Sequence, residues 1–364
     1  MEIKMKIAYV ITGLGLGGAE IQVCNLADQM VENGHEVVII SLTGNAIISP
    51  LNNVKVIELG MTKGLFSVVA TLFKMRNFLV NVDVVHSHMF HANIFSRLLK
   101  LFFKIPPLIC SAHSSNEGGR ARMFVYRITD FLSDLNTNVS QSALNSFIEL
   151  RAMRRDNSKV VHNAINHEIF SKDISVRDKL RKELGIESDF VFITVGRLEP
   201  EKNHKLLLEA FHKVSQQVNC AKLLIVGNGS CREELMNIIR EKNLNNKVIM
   251  LGALSNVSDY LNAADAFVLS SIYEGFGMAL AEAMSCEKIV LSTSCGGVES
   301  IVRYSSDIVS NNCDELADKM FELTKSSVSE RCEIGKNNRL YIIENFSFDS
   351  IVSSWLKFYS GLIK

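Results

Sequence analysis

Two glutamates, Glu274 and Glu282, bracket the run Gly275-Phe276-Gly277-Met278-Ala279-Leu280-Ala281. Gly275 and Gly277 free the backbone, and a helix is predicted to begin at about Met278. The unpaired amides and positive dipole end of such a helix can bind a diphosphate. Glu282, in the first turns, can accept both hydroxyls of a ribose, while Glu274 at the loop tip can meet the hydroxyls of a sugar. A helix with an acidic first turn is also common without any ligand. Spacing alone leaves both readings open.

Two cations follow a predicted strand, Phe190–Val195, in the run Gly196-Arg197-Leu198-Glu199-Pro200-Glu201-Lys202-Asn203. Arg197 offers a planar fork and Lys202 a point charge, and both suit phosphate oxygens. A lone surface cation usually only solubilises, but ligands of open α/β sheets bind at the carboxyl ends of strands. A third feature, Gly13, Gly15 and Gly18, satisfies the G-x-G-x-x-G dinucleotide fingerprint. That fingerprint expects an acid at the end of the second strand to hold a ribose. Here the strand Glu36–Leu42 runs into Thr43, Gly44 and Asn45, which speaks against NAD. Either a diphosphate or acceptor phosphate sits against Gly17 and Gly18 at the helix start, or the loop is a tight structural turn.

The elements that must position these residues alternate. In the first half, strands are predicted at Lys6–Thr12, Glu36–Leu42, Val82–Ser87, Leu108–Ala112 and Leu135–Val139, and Val160–His162 ends that half. Helices are predicted at Ala19–Asn33, Ala92–Phe103, Arg122–Leu132 and from Gln141. The second half repeats the plan, with strands Phe190–Val195, Lys222–Val226, Val248–Leu251, Ala266–Ser270 and Ile289–Ser292. Its helices are His204–Gln217, Cys231–Lys242, Val257–Ala263 and Met278–Met284. This rhythm implies two parallel sheets covered on both faces, hence an α/β chain of two doubly wound domains with a cleft at the strand carboxyl ends. A length of 364 residues with 47% hydrophobic content fits two cores. The boundary is expected near Asn163–Phe170, and a last helix, about Asp349–Leu362, carries Trp355, Phe358 and Tyr359.

Composition narrows the function. Net charge is zero, but residues 1–163 hold 16 Lys/Arg against 12 Asp/Glu, and the remainder 23 against 27. Between Lys63 and Arg127 nine basic residues face only Asp83 and Glu117. That excess is too weak for nucleic acid without a recognition module. It suits either a solvated face or an anionic membrane surface. The eight cysteines are scattered without C-x-x-C, which reads as reduced thiols and a cytoplasmic chain rather than a zinc or disulfide framework. His86, His88 and His91 match no standard zinc spacing. Met1–Ala19 reads as strand, loop and helix start rather than a signal peptide, and no apolar run reaches membrane-span length.

The pattern Glu-x7-Glu at 274–282, Gly196-Arg197-Leu198 with Lys202-Asn203, and Gly17-Gly18-Ala19-Glu20 together resemble the GT-B retaining glycosyltransferases of family 4. Asn163-Ala164-Ile165 resembles that family's domain hinge, and Val226-Gly227-Asn228-Gly229 its next strand-turn. The resemblance implies a GT-B fold, two Rossmann-like domains facing across a cleft. It implies an acceptor-binding domain at 1–165, a nucleotide-sugar-binding domain at 166–345, and a helix at 346–364 packing back on the first. It implies that Arg197 and Lys202 neutralise a diphosphate, Glu282 holds the ribose, Glu274 engages the donor sugar, and backbone near Ala253 and Leu254 reads the base. Gly17, Gly18, Gly277 and Met278 complete the expected donor contacts. Many relatives place an acid after a histidine at an N-domain strand end. Here the run is Ser111-Ala112-His113-Ser114-Ser115, so His113 lacks that acid. His113 is expected to contact the donor sugar or reacting centre, the other reading being a structural histidine.

Breaking the anomeric bond puts negative charge on the leaving phosphate, which Arg197, Lys202 and the amides near Met278 are placed to stabilise. No hydrolase-like carboxylate pair is evident. The resemblance implies retention, with the leaving phosphate accepting the acceptor's proton. No Asp-x-Asp is found, so no cofactor or divalent metal is expected; Glu187-Ser188-Asp189 reads as a turn. Basic residues alternating with Leu, Phe, Val and Met over Gly64–Val80 and Arg97–Phe103, with Arg120 and Arg122, suit a bilayer interface. The expected acceptor is a polyprenyl-diphosphate-linked saccharide at the inner membrane face, as in O-antigen assembly; the family resemblance, rather than any single residue, implies UDP-GalNAc or UDP-GlcNAc as donor. A nucleotide-sugar epimerase, which needs no acceptor, and a non-catalytic nucleotide- or lipid-binding module are the alternatives.

Overall fold

The computed structural model describes residues 4–15 and 17–363. Of the opening Met1–Ala19 stretch, Met1–Ile3 and Leu16 lie outside the described residues. Two compact units emerge, Met1–Ala164 with Phe348–Lys364, and Ile165–Ser347.

The first unit runs β1 (Lys6–Ile11), α1 (Gly18–Glu32), β2 (Glu36–Ser41), β3 (Lys55–Glu58), α2 (Leu65–Leu79), β4 (Val84–His88) and α3 (Phe90–Phe102). It continues with β5 (Leu108–Ala112), α4 (Gly119–Thr129), β6 (Leu135–Asn138), α5 (Gln141–Glu149) and β7 (Ser158–Val160). All strands are parallel, in the order β3-β2-β1-β4-β5-β6-β7. A parallel sheet covered on both sides needs apolar residues at successive positions. β1 shows why: Ile7, Tyr9 and Ile11 enter the core shared with Val23, Leu26 and Met30 of α1. Ala8 and Val10 enter the opposite core with Met75 of α2 and Phe95 and Leu99 of α3.

The second unit runs α6 (Ile174–Leu184), β8 (Phe190–Val195), α7 (His204–Gln217), β9 (Ala221–Val226), α8 (Arg232–Glu241), β10 (Val248–Gly252) and α9 (Val257–Ala263). Then come β11 (Ala266–Leu269), α10 (Met278–Ser285), β12 (Ile289–Thr293), β13 (Ile308–Val309), α11 (Cys313–Lys325) and α12 (Val328–Phe346). Its parallel order is β10-β9-β8-β11-β12-β13. Phe192, Leu223, Val268 and Leu291 form its core with Leu207 and Phe211 of α7 and Leu316 and Met320 of α11. The chain then returns to the first unit in α13 (Phe348–Leu362), whose Ile351, Val352, Trp355 and Tyr359 join the α1 side of that core.

Strand order reverses direction between β1 and β4 in the first unit and between β8 and β11 in the second. Open α/β sheets bind ligands at the carboxyl ends of strands beside such reversals.

Several elements lie outside the sequence expectation. β3, α2, β7, α6, α11, α12 and β13 fall in stretches with no predicted element. The helix expected over Arg122–Leu132 starts at Gly119, stops at Thr129 and finishes as a 3-10 turn.

The expected basic membrane face needs a correction at Arg97. Its side chain is 0% exposed. Its guanidinium donates to Tyr126 O at 3.1 Å, Thr129 Oγ1 at 3.1 Å and Asn136 Oδ1 at 2.6 Å, with Asp130 at 3.9 Å. Arg97 is therefore a core cation that ties α3 to α4 and β6, not a surface one. Lys100 is partly tied down too, by an ion pair to Asp134. The exposed face is made instead by Phe66 (94% exposed), Val69 and Phe73 on α2, and by Phe124, Ile128 and Phe131 on and after α4. These positions recur at three- to four-residue steps, so each helix carries one outward apolar stripe. Lys63, Lys74, Arg76, Arg120 and Arg127 are exposed around them, and neither α2 nor α4 contains an acid.

Candidate active site

In the second unit the reversal between β8 and β11 brings two loops together. The loop after β8 carries Arg197, then a 3-10 turn, Pro200–Lys202. The loop after β11 carries Ser270, Ser271 and Glu274. Ser270 Oγ donates to Lys202 O at 2.9 Å and Ile272 N–H to Glu201 O at 2.8 Å, so the two loops are laced by backbone contacts. Lys202 Nζ then donates to Glu274 Oε1 at 2.5 Å, and Ser271 Oγ donates to the same oxygen at 2.7 Å. Both side chains are largely buried. Arg197 is mostly exposed and pairs with Glu201 at 3.0 Å.

Glycines make this geometry possible. Glu274 N–H donates to Cys295 O at 2.8 Å, and Gly297 N–H donates to Glu274 O at 3.2 Å. A Cβ on Gly297 would stand 2.5 Å from the Gly275 carbonyl, so only glycine lets the Glu274 loop lie there. Gly277 caps α10 with φ +93, a left-handed conformation that disfavours side chains. Met278 opens that helix.

Glu282 lies in the second turn of α10. Burial pushes its carboxyl up to about 7. The loop after β10 holds Ala253, exposed, and Leu254, half-buried. In sum, the second unit brings Lys202 and Glu274 into contact, with Arg197 five positions before that lysine on the same loop.

In the first unit, Gly17 is the N-cap of α1 and Gly18 its first residue, directly after β1 at that sheet's reversal. Gly18 has open space where a Cβ would stand. The Glu20 carboxylate folds back over Gly15 and Gly17, so an acid covers part of the loop. Gly13 has a packing reason: a Cβ there would meet Thr43 Oγ1 at 2.7 Å.

His113 follows β5. Burial pulls its imidazole down to about 4, so it is neutral at ordinary pH. Its Nε2 lies 3.1 Å from His88 Nδ1 at the end of β4. The acid missing at Ser114 is supplied three residues later: Glu117 Oε1 accepts the His113 N–H at 3.0 Å, and Glu117 Oε2 accepts Tyr126 OH at 2.6 Å. His88, His113 and Glu117 form one cluster beside the same sheet reversal. Sequence reasoning found only His113. Ser271 and Gly297 were missed as well, though the Gly296-Gly297 pair after a strand is a signal for a close backbone approach.

Among the described residues, no group of three or more His, Cys, Asp or Glu is arranged to hold a metal ion. No helix among them is long and apolar enough to cross a membrane.

Comparisons with known proteins bear on this geometry. Residues 16–169 match the family model Glycosyltransferase Family 4, and residues 176–341 match Glycosyl transferases group 1. The chain is similar to the GalNAc-alpha-(1->4)-GalNAc-alpha-(1->3)-diNAcBac-PP-undecaprenol alpha-1,4-N-acetyl-D-galactosaminyltransferase of Campylobacter jejuni, 29% identical over 97% of this chain and 98% of that one. It is also similar to the N-acetyl-alpha-D-glucosaminyl L-malate synthase of Bacillus anthracis, 29% identical over 64% of this chain, a match spanning 61% of that relative's length. Among solved structures, Anabaena Alr3699/HepE in complex with UDP superposes with a TM-score of 0.87 at 20% identity, covering 98% of this chain and 100% of that one.

Proposed function

We propose that this chain, which belongs to the family-4 glycosyltransferases of GT-B fold, moves a hexosamine from UDP-GalNAc or UDP-GlcNAc onto a polyprenyl-diphosphate-linked saccharide. The observation that carries the reading is the Lys202–Glu274–Ser271 cluster at the β8/β11 reversal, with Arg197 on the same loop. In this reading Arg197 and Lys202 receive the donor's diphosphate, and the α10 start at Gly277 and Met278 adds its amides. Glu282 accepts the ribose hydroxyls, backbone at Ala253 and Leu254 meets the base, and Glu274 meets the sugar. Gly17 and Gly18 bring backbone close to the donor phosphates. His113 offers a neutral imidazole to the reacting sugar.

The reaction breaks the anomeric C–O bond to the diphosphate and forms one to the acceptor oxygen. The acceptor's hydroxyl proton passes to the leaving phosphate oxygen on the face being vacated, so configuration is retained. Neutralisation of the leaving group is assigned to Arg197 and Lys202, without a divalent cation. The lipid-linked acceptor is supported by the similarity to the undecaprenol-linked saccharide transferase of Campylobacter jejuni. The α2 and α4 stripes, ringed by cations, suit an anionic bilayer and a peripheral, cytoplasmic-face enzyme of surface-polysaccharide (O-antigen, lipopolysaccharide) assembly.

The test is a panel of UDP-sugars with a lipid-diphosphate saccharide, with and without EDTA, read by product mass and anomeric NMR coupling. A new α-linked hexosamine, unaffected by EDTA, supports the reading. An inverted product, or donor converted without acceptor, would overturn it.

A further inference from the structure

The proposed chemistry uses His113 and leaves unused the histidine bonded to it. His88 closes β4 and is buried. Its Nδ1 and the His113 Nε2 share one hydrogen bond of 3.1 Å. Both rings line a cavity of about 30 Å³, with Ser111, Thr137 and His162. The outer nitrogens, His88 Nε2 and His113 Nδ1, are buried and have no hydrogen-bond partner among the described residues.

Two neutral imidazoles carry two ring protons between them, and one of these sits in the shared bond. The outer nitrogens must therefore differ: one carries a proton and the other is bare. When His88 Nδ1–H donates, His113 Nδ1 is a donor and His88 Nε2 an acceptor. When His113 Nε2–H donates, both outer roles reverse. A proton leaving His113 Nδ1, the shared proton crossing from His88 to His113, and a proton arriving at His88 Nε2 interconvert the two states. Neither ring gains charge.

The surroundings hold the pair neutral and apart from other exchange partners. Burial keeps His113 down to about 4 and His88 well below the usual imidazole range. His86 on β4 stacks on His88 at 4.0 Å, but both its nitrogens are engaged, by Tyr359 of α13 at 2.7 Å and Ser111 of β5 at 2.6 Å. Tyr9 of β1 packs on His88 at 5.6 Å with its hydroxyl toward Tyr359. Glu117 is committed to the His113 N–H and Tyr126, and His162 to Val139 O.

We propose that His88 is a positioning residue acting through His113, setting by the shared bond whether His113 Nδ1 faces the cavity as a hydrogen-bond donor or as an acceptor. Its effect on transfer rests on the reading of His113 as a contact to the donor sugar.

The experiment is ¹⁵N NMR of histidine-labelled full-length protein without substrate, between about pH 5.5 and 8. Both rings should stay neutral, with His113 in one tautomer. His88→Phe removes the partner and should turn His113 into a tautomer mixture. His88→Asn, whose side-chain amide can replace Nδ1, should keep one tautomer. With UDP-sugar and acceptor, His88→Phe should lower kcat roughly tenfold, the loss of one oriented hydrogen bond, with donor KM within about twofold. His88→Asn should recover most of it. An unchanged His113 pattern in His88→Phe overturns the proposal whatever the turnover. Should that variant not fold, His113→Asn is read from the other side, where an unshifted His88 pattern is equally fatal. Absence of transfer with every donor would instead remove the functional reading, and the NMR result is read independently of it.

Discussion

Lys202 Nζ and Glu274 Oε1 lie 2.5 Å apart, joining residues 72 positions distant in sequence. The pair bridges the loops after two neighbouring strands, β8 and β11. Glu274 therefore holds the Lys202 side chain in one place. Lys202→Met and Glu274→Gln should each cut kcat/KM by roughly 10²–10³, the loss seen when one charge-stabilising group is removed. Each should also lower stability, because a largely buried partner is left alone. The double variant should regain part of that stability and none of the activity. Urea unfolding beside turnover checks both arms; equal activity in wild type and Lys202→Met would sink the assignment.

Glu282 gives a pH prediction. Burial raises its folded-state value to about 7, above the roughly 4.3 of an unfolded glutamate. The folded protein then holds more protons between those values, so stability is fully present below about pH 4.3 and is lost as pH rises toward 7. Glu282→Gln should remove this slope and be more stable at pH 8, by about 1 kcal/mol after allowing for partial exposure. UDP-sugar binding to the carboxylate form should tighten by roughly tenfold from pH 6 to 8 in wild type and not in the variant. Calorimetric titration at the two pH values decides it.

Arg97 and the outer cations should separate cleanly. Arg97→Met should destabilise the first unit by about 3 kcal/mol, because Asn136, Thr129 and Tyr126 lose their buried donor. Replacing Lys74 and Arg76 by Gln should leave the urea midpoint unchanged. It should reduce flotation with anionic vesicles, and Phe66→Ser with Phe73→Ser should do so further. Flotation equal to wild type in the combined variant would remove the membrane face.

Gly297→Ala should test the placement of the Glu274 loop. The added Cβ pushes on Gly275 backbone and so on Glu274. A fall in turnover is expected, because Glu274 and the Lys202 that it holds both shift. Unchanged turnover would mean that the placement of Glu274 is not critical.

Much of the fold could be read in the sequence because parallel strands buried on both faces are short apolar runs, as in Lys6–Ile11 and Phe190–Val195. α12 escaped because its 19 residues alternate charge and apolar groups with little periodicity and carry Gly335 in the middle. Its capping box, Ser327 with Glu330, was a usable signal. α6 likewise begins at an Asp173 cap and ends at Gly185 in the left-handed region. For the site, Arg197, Lys202 and Glu274 stood out because charge at a strand end is conspicuous. Ser271, Gly297 and His88 did not, since their roles depend on which strands become neighbours. Arg97 was misread because its α3 neighbours look amphipathic. The acids and amides that hold it, Asp130 and Asn136, come from a later turn and strand.

The return of α13 to the first unit has a consequence for synthesis. Ile165–Ser347 is one unbroken stretch and can finish folding as it leaves the ribosome. The earlier-made half cannot: its core waits for Trp355 and Tyr359, and His86 waits for the Tyr359 hydroxyl. A chain lacking α13 would leave the α1 side of its first sheet covered by α1 alone, with the apolar groups that meet Trp355 and Tyr359 exposed. The fifteen residues of α13 thus complete a core whose other members were translated well before them.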